Sequence, residues 1–162
     1  MTGVTQIAVI GKGTSDEQLA PVAEEVGRRL AEAGASLVCG GLGGVMEAAA
    51  RGAAGSGGTV IGIVPGTDPT AANRFCTHVV ATGIGHARNL AVVASGDAVI
   101  AIGGEWGTLA EIGFARRLGR PVVALESWTV TPHAPVAGGN GIEVAESPRG
   151  AVDLALTAAR ER

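Results

Sequence analysis

Short apolar runs alternate along the chain with longer stretches of helical periodicity. Gln6 to Ile10, Ser36 to Cys39, Thr59 to Val64, His78 to Ala81, Asp97 to Ile102 and Pro121 to Leu125 read as strands. Between them lie helical stretches at 15–33, 45–54, 85–95 and 108–118, and a last one at 147–160. The first is the clearest. On a 100° wheel Leu19, Val22, Ala23, Val26, Leu30 and Ala33 share an arc of about 100°, and Glu17, Glu24, Glu25, Arg28 and Glu32 fill the other side. Ser15 to Gln18 fits a capping box at its start, and Gly34 fits a stop. Pro148 suits a helix's first turn. The segments 66–77 and 129–141 read as loops.

Strand–helix alternation implies βαβ units. Runs such as AVIAI, apolar at every position, suit a sheet covered on both faces. The expected fold is α/β, a Rossmann-like three-layer sandwich with a mostly parallel sheet of about six to seven strands. It reads as one domain over residues 1–162. Ligands in such folds bind beyond the carboxyl ends of the strands, at the topological switch point.

Composition narrows the function. Glycine supplies 27 of 162 residues, without a collagen period. Aromatic residues make up 2% and the net charge is −3, so a nucleic-acid partner is not expected. No apolar run reaches membrane-spanning length, and no secretory leader is visible, so a cytoplasmic location is expected. Cys39 and Cys76 show no paired-motif spacing and read as reduced, small apolar residues. His78, His86 and His133 show no metal-ligand spacing, so no metal is expected.

Three glycine-rich turns follow strands. The first, Gly11-Lys12-Gly13-Thr14-Ser15-Asp16, is a partial dinucleotide fingerprint with Asp16 where a third glycine would stand. The second is Gly40-Gly41-Leu42-Gly43-Gly44. The third, Gly103-Gly104-Glu105-Trp106-Gly107-Thr108, follows a strand and opens a helix, where converging amides favour an anion. Thr108 can donate a hydroxyl to that anion or act as a plain N-cap. Thr108 and Glu111 also fit a capping box. With Ala110 at zero, Phe114, Leu118 and Ala115 lie at about 40°, 80° and 140°, and Glu111 at about 100° falls inside that arc. An inward carboxylate needs a partner, or its pKa rises. A sugar hydroxyl or Arg88 could supply one. Arg88 and Asn89 open another helix after Gly83 to Ala87, and arginine suits bidentate phosphate contact. Glu47 reads instead as a surface partner of Arg51, four residues on.

The stretch IGGEWGTLAEI resembles the PGGxGTxxE motif of the Lonely Guy (LOG) proteins, often misnamed lysine decarboxylases. The resemblance extends to CGGLGGVMEAAARGA, TVIGIVPG and ATGIGHARNLAVVASGDAVIAIGG. It implies a Rossmann-type nucleotide-binding fold and, in active members, release of the base from cytokinin nucleoside monophosphates. By motif, Gly103, Gly104, Gly107 and Thr108 would hold the phosphate, with Glu111 the catalytic carboxylate and Arg88 its partner. Gly41, Gly43, Gly44, Asn89 and Gly11 complete the expected ligand-binding set. Ile102 stands where the hydrolases have Pro, and Asn89 where Lys commonly follows the Arg. Glu105 adds negative charge within the loop. These departures resemble a sister branch that includes molybdenum-cofactor carrier proteins and DprA/Smf-related proteins.

The ligand expected is therefore a nucleoside monophosphate or similar phosphorylated molecule, with no required cofactor. Hydrolysis of its N-glycosidic bond, carriage of a phosphate-bearing cofactor such as molybdenum cofactor, and nucleotide sensing are the three candidate functions. Lysine decarboxylation is rejected, because Lys12, the single lysine, lies in a turn beside Asp16. The resemblance also implies a homodimer or higher homo-oligomer.

Overall fold

A computed structural model describes residues 3–137 and 139–162. One seven-stranded, all-parallel sheet runs in the order β4-β3-β2-β1-β5-β6-β7. The strands are β1 (Gln6–Gly11), β2 (Ser36–Cys39), β3 (Val60–Val64), β4 (His78–Ala81), β5 (Ala98–Ile102), β6 (Val122–Leu125) and β7 (Ile142–Ala145). Among the described residues five α-helices flank it: α1 (Leu19–Glu32), α2 (Val45–Gly55), α3 (Arg88–Ser95), α4 (Trp106–Arg117) and α5 (Pro148–Arg160). This is the Rossmann-like α/β sandwich the alternation predicts.

The strand pleat divides the core. Ile7 and Val9 point to the face covered by α1, α2 and α5, with Val26, Leu30, Ala49 and Val152. Ala8 and Ile10 point to the face covered by α3 and α4, with Val92, Val93, Ile112 and Ala115. The α1–α2 crossing is unusually close. A Cβ on Gly27 would lie 1.9 Å from the Ala49 carbonyl oxygen, and one on Gly52 would lie 1.9 Å from that of Glu24. The two glycines let the helix backbones touch.

The chain order reverses between β1 and β5, which pair from Ile7–Ala98 to Gly11–Ile102. That pairing defines the switch point. A Cβ on Gly11 would lie 2.4 Å from the Ile102 carbonyl oxygen, so only glycine fits there.

Several local expectations change. β7 lies just past the 129–141 loop, where no strand was expected. Helix α1 begins at Leu19 rather than Ser15, and Asp16 caps it, its carboxylate accepting the amides of Gln18 and Leu19 at 3.0 and 3.1 Å. An aspartate two or three residues before the first free amides reaches them where Ser15 cannot. Arg51 binds Glu24 of α1, at 2.9 Å, rather than Glu47. The tight α1–α2 packing brings Glu24 within reach across the helix pair. Helix α4 begins at Trp106, two residues before the expected start, with Glu105 at its N-cap. Thr108 is therefore neither an N-cap nor the head of a capping box. It is a buried residue of the first turn.

Candidate functional site

The turns after β1, β2 and β5 and the N-termini of α3 and α4 surround a cavity of about 240 Å³ at the switch point. Gly11, Arg88, Asn89, Gly107, Thr108 and Glu111 all line it, so six of the expected site residues come together. Gly41, Gly43, Gly44, Gly103 and Gly104 do not line it, and positive φ with close packing accounts for the identity of all but Gly43. Gly44 has φ of 63°, and a Cβ there would lie 2.2 Å from the Lys12 carbonyl oxygen. That contact docks the β1 turn on the start of α2, where the Val45 amide donates to the same oxygen at 2.9 Å. A Cβ on Gly104 would lie 2.5 Å from Thr108, and one on Gly103 would lie 2.3 Å from Leu19.

Helix α4 presents its N-terminus to the cavity. Its first backbone bond runs from the Leu109 amide to the Glu105 carbonyl, so the amides of Trp106, Gly107 and Thr108 have no partner within the helix. Such amides and the helix dipole favour an anion. Around Gly107 nothing lies within 4 Å of an added Cβ, so the turn is open. The flanking loop is fixed from behind. The Ser127 hydroxyl donates to the Gly103 carbonyl, and the Trp128 indole N–H donates to that of Glu105 at 3.2 Å.

Glu111 lies one turn further along α4. Thr108, Glu111, Ile112 and Ala115 form the helix's buried face. The expected inward arc is thus half right: Glu111 and Ala115 point in, whereas Phe114 and Leu118 are exposed. Apolar character alone marks Phe114 and Leu118 as inward, but these two sit on an apolar outer face. Burial pushes the Glu111 carboxyl up to about 7, and the positive charge of Arg88 only partly offsets it.

Arg88 opens α3 and is itself buried. Its Nη1 donates to the Asn89 side-chain oxygen, and its Nε has no hydrogen-bond partner among the described residues. Burial lowers its pKa, with Glu111 acting in the opposite direction. The guanidinium rests on Gly40 at the end of β2, where a Cβ would lie 2.6 Å from Nη1 and 2.6 Å from Met46 Sδ. Gly40 and Met46 also line the cavity, as do Lys12 and His86. Gly40 and Met46 carry no chemical signal of their own; only the position of Arg88 reveals them. Lys12 lies 3.4 Å from Asp16, which partly neutralises it. Glu105 stands at the rim, the negative charge the loop sequence suggested. Among the described residues no cluster of His, Cys, Asp or Glu could hold a metal ion, and no helix is long and apolar enough to cross a membrane.

Comparison with known proteins agrees with this architecture. The family model of the SLOG cluster4 family matches residues 4–152. An uncharacterized protein of Archaeoglobus fulgidus is 41% identical over 94% of this chain and 95% of its own length. A cytokinin riboside 5'-monophosphate phosphoribohydrolase of Rhodococcoides fascians is 38% identical over 64% of this chain, a match spanning only 53% of that protein. The solved structure of a molybdenum cofactor binding protein from Rippkaea orientalis superposes with a TM-score of 0.85 at 28% identity, covering 97% of this chain and 98% of that one.

Proposed function

For this chain, which belongs to the SLOG cluster4 family, we propose a phosphoribohydrolase that takes a nucleoside monophosphate or a close phosphorylated analogue. One observation carries the reading: a buried carboxyl that titrates near neutrality shares a cavity with a buried arginine whose Nε is unpaired. A group of that kind can both take and return a proton at neutral pH.

The phosphate sits at the α4 N-terminus, against the Gly107 and Thr108 amides. Arg88 neutralises it or holds the ribose, and the neighbouring Asn89 fixes one face of the guanidinium. The cavity is smaller than the roughly 300–1,000 Å³ usual for whole drug-sized ligands, so it suits the sugar phosphate while the base extends toward the rim. As the C1′–N bond breaks, positive charge grows on the sugar. Ionised Glu111 stabilises it and accepts a proton from water as the water oxygen bonds C1′. The proton then passes to the departing base.

The second reading is a carrier that holds molybdenum cofactor as cargo through the same phosphate site. It is favoured by the full-length likeness to the molybdenum cofactor binding protein and by Asn89 where the hydrolases commonly have Lys. Outward Phe114 on α4, Leu118 at its C-cap and Leu90 on α3 support pairing of two copies through those helices.

The test is incubation of purified protein with AMP and with N6-isopentenyl AMP, followed by chromatography of the products. Free base and ribose 5-phosphate support the hydrolase. Intact nucleotides together with a co-purifying phosphorylated pterin support the carrier.

A further inference from the structure

Cys39 and Cys76 are distant in sequence and adjacent in space. Cys39 ends β2 and is fully buried, paired in the ladder with Gly62 of β3. Cys76 lies over that same Gly62. A Cβ there would fall 2.6 Å from Cys76 Sγ and 3.3 Å from its Cβ. The missing side chain of Gly62 is thus the space that Cys76 occupies, beside Cys39.

The two sulfurs differ in character. Cys39 is held well up by the adjoining Cys76 thiol and by burial. Cys76 is half-buried, and its contact with Cys39 lowers it. Burial makes Cys76 the sulfur that an oxidant from solvent reaches first, with Cys39 behind it to resolve the product.

Both are wired to the cavity wall. The residue after Cys39 is Gly40, the seat of the Arg88 guanidinium. The turn carrying Cys76 is anchored through Asn73, whose amide donates to the Gly41 carbonyl at 2.7 Å and whose Nδ2 donates to that of Leu42 at 2.9 Å. The Cys76 amide closes that turn on the Asn73 carbonyl at 3.2 Å.

We propose that Cys39 and Cys76 form a hydroperoxide-sensitive dithiol that closes to a reversible intrachain disulfide behind the Arg88 wall. The Cys76 thiolate attacks the terminal peroxide oxygen, the O–O bond breaks, and the leaving alkoxide or hydroxide takes a proton. Cys39 sulfur then attacks the Cys76 sulfenic acid, and the S–OH oxygen leaves as water with the Cys39 proton. Two thiols lose two electrons and two protons, and one peroxide is reduced. An S–S bond is about 2.05 Å long, so closure draws the 73–76 turn toward β2 and stiffens residues 40–42.

The chain holds only these two cysteines, so intact mass is a clean readout. After hydrogen peroxide treatment the mass falls by two hydrogens, both thiols vanish from a denatured count, and a peptide map shows Cys39 joined to Cys76. Dithiothreitol restores both. Cys39→Ser stops at a Cys76 sulfenic acid that dimedone traps, and Cys76→Ser leaves Cys39 unreactive. Gly62→Ala, which pushes the Cys76 sulfur aside, slows closure at least several-fold. Amide hydrogen exchange at residues 40–42 slows on oxidation. A disulfide between chains, or Cys76 sulfinic acid beside an intact Cys39 thiol, overturns the proposal. Unchanged exchange at 40–42 overturns its link to the cavity. None of these readouts depends on which ligand the cavity takes.

Discussion

Arg88 and Glu111 are each more than nine-tenths buried and line one cavity, yet no hydrogen bond or ion pair joins them. Each feels the other's charge, but desolvation dominates both. A buried pair in full contact would hold Glu111 ionised well below neutrality. Separation instead leaves the carboxyl near 7 and the guanidinium Nε open to a ligand.

Glu111→Gln keeps the shape and removes the ionisable group. Base release from AMP or its N6-isopentenyl analogue is expected to fall at least 10²-fold, with nucleotide binding retained within a few-fold. Product chromatography and calorimetric titration on the same preparation check it. Full activity in the variant rules out a catalytic carboxylate.

The same carboxyl ties stability to pH. Its folded pKa of about 7 lies above its ordinary value of 4.5, so the folded state holds the proton more tightly than the unfolded one. The sign follows: this contribution is complete below about 4.5 and is lost as pH rises through about 7. The expected loss is about 3 kcal/mol across that window. Urea midpoints of the wild type should decline over it relative to those of Glu111→Gln. Parallel profiles would contradict the assignment.

Arg88 is seated by a residue with no chemistry. Gly40→Ala puts a methyl 2.6 Å from Nη1 and from Met46 Sδ, so the guanidinium must leave its seat while remaining charged. Affinity for AMP is expected to drop about tenfold, as for loss of one charge-assisted contact. Unchanged affinity in a folded Gly40→Ala protein would show that Arg88 does not hold the ligand from this position.

Much of this arrangement was legible in the sequence. Strand–glycine–helix punctuation places the switch point, and spacing alone turns Glu111 inward. What was hidden depends on contacts between distant segments. Gly40 matters because Arg88, from another βα unit, lies on it. Arg51 chose Glu24 over Glu47 because two glycines bring α1 and α2 together. β7 escaped because it is only four residues long, Ile142–Ala145, so the brief Ile-Glu-Val alternation is too short to separate from the Pro- and Gly-rich stretch before it.

Gly107 separates charge from shape. It sits in the first turn of α4, where an added Cβ meets nothing within 4 Å among the described residues. An acidic residue there also suits the helix dipole, so Gly107→Asp should fold with wild-type stability to within about 1 kcal/mol. Its carboxylate would stand where the ligand's phosphate is proposed to sit. AMP binding should therefore disappear in Gly107→Asp and survive in Gly107→Ala. Thermal melts paired with calorimetric titration distinguish the outcomes. A folded Gly107→Asp protein that binds AMP normally moves the phosphate away from the α4 N-terminus.

The α1–α2 crossing inverts the usual rule for glycine in helices. Replacing a mid-helix glycine by alanine ordinarily stabilises by about 0.5–1 kcal/mol. Gly113 on α4 is such a site, exposed and with nothing near an added Cβ. At Gly27 the methyl would lie 1.9 Å from the Ala49 carbonyl oxygen and 3.0 Å from the Ala53 amide nitrogen. Backbone cannot swing aside as a side chain can, so the helices must separate and uncover the core between them. Gly27→Ala should lose about 3 kcal/mol, in the upper range for overpacking, while Gly113→Ala should gain slightly. The displacement would also pull Arg51 from Glu24, whose bond spans the same helix pair. Denaturant midpoints for the two variants should move in opposite directions, and a shift of the same sign in both would mean the helices do not meet backbone to backbone.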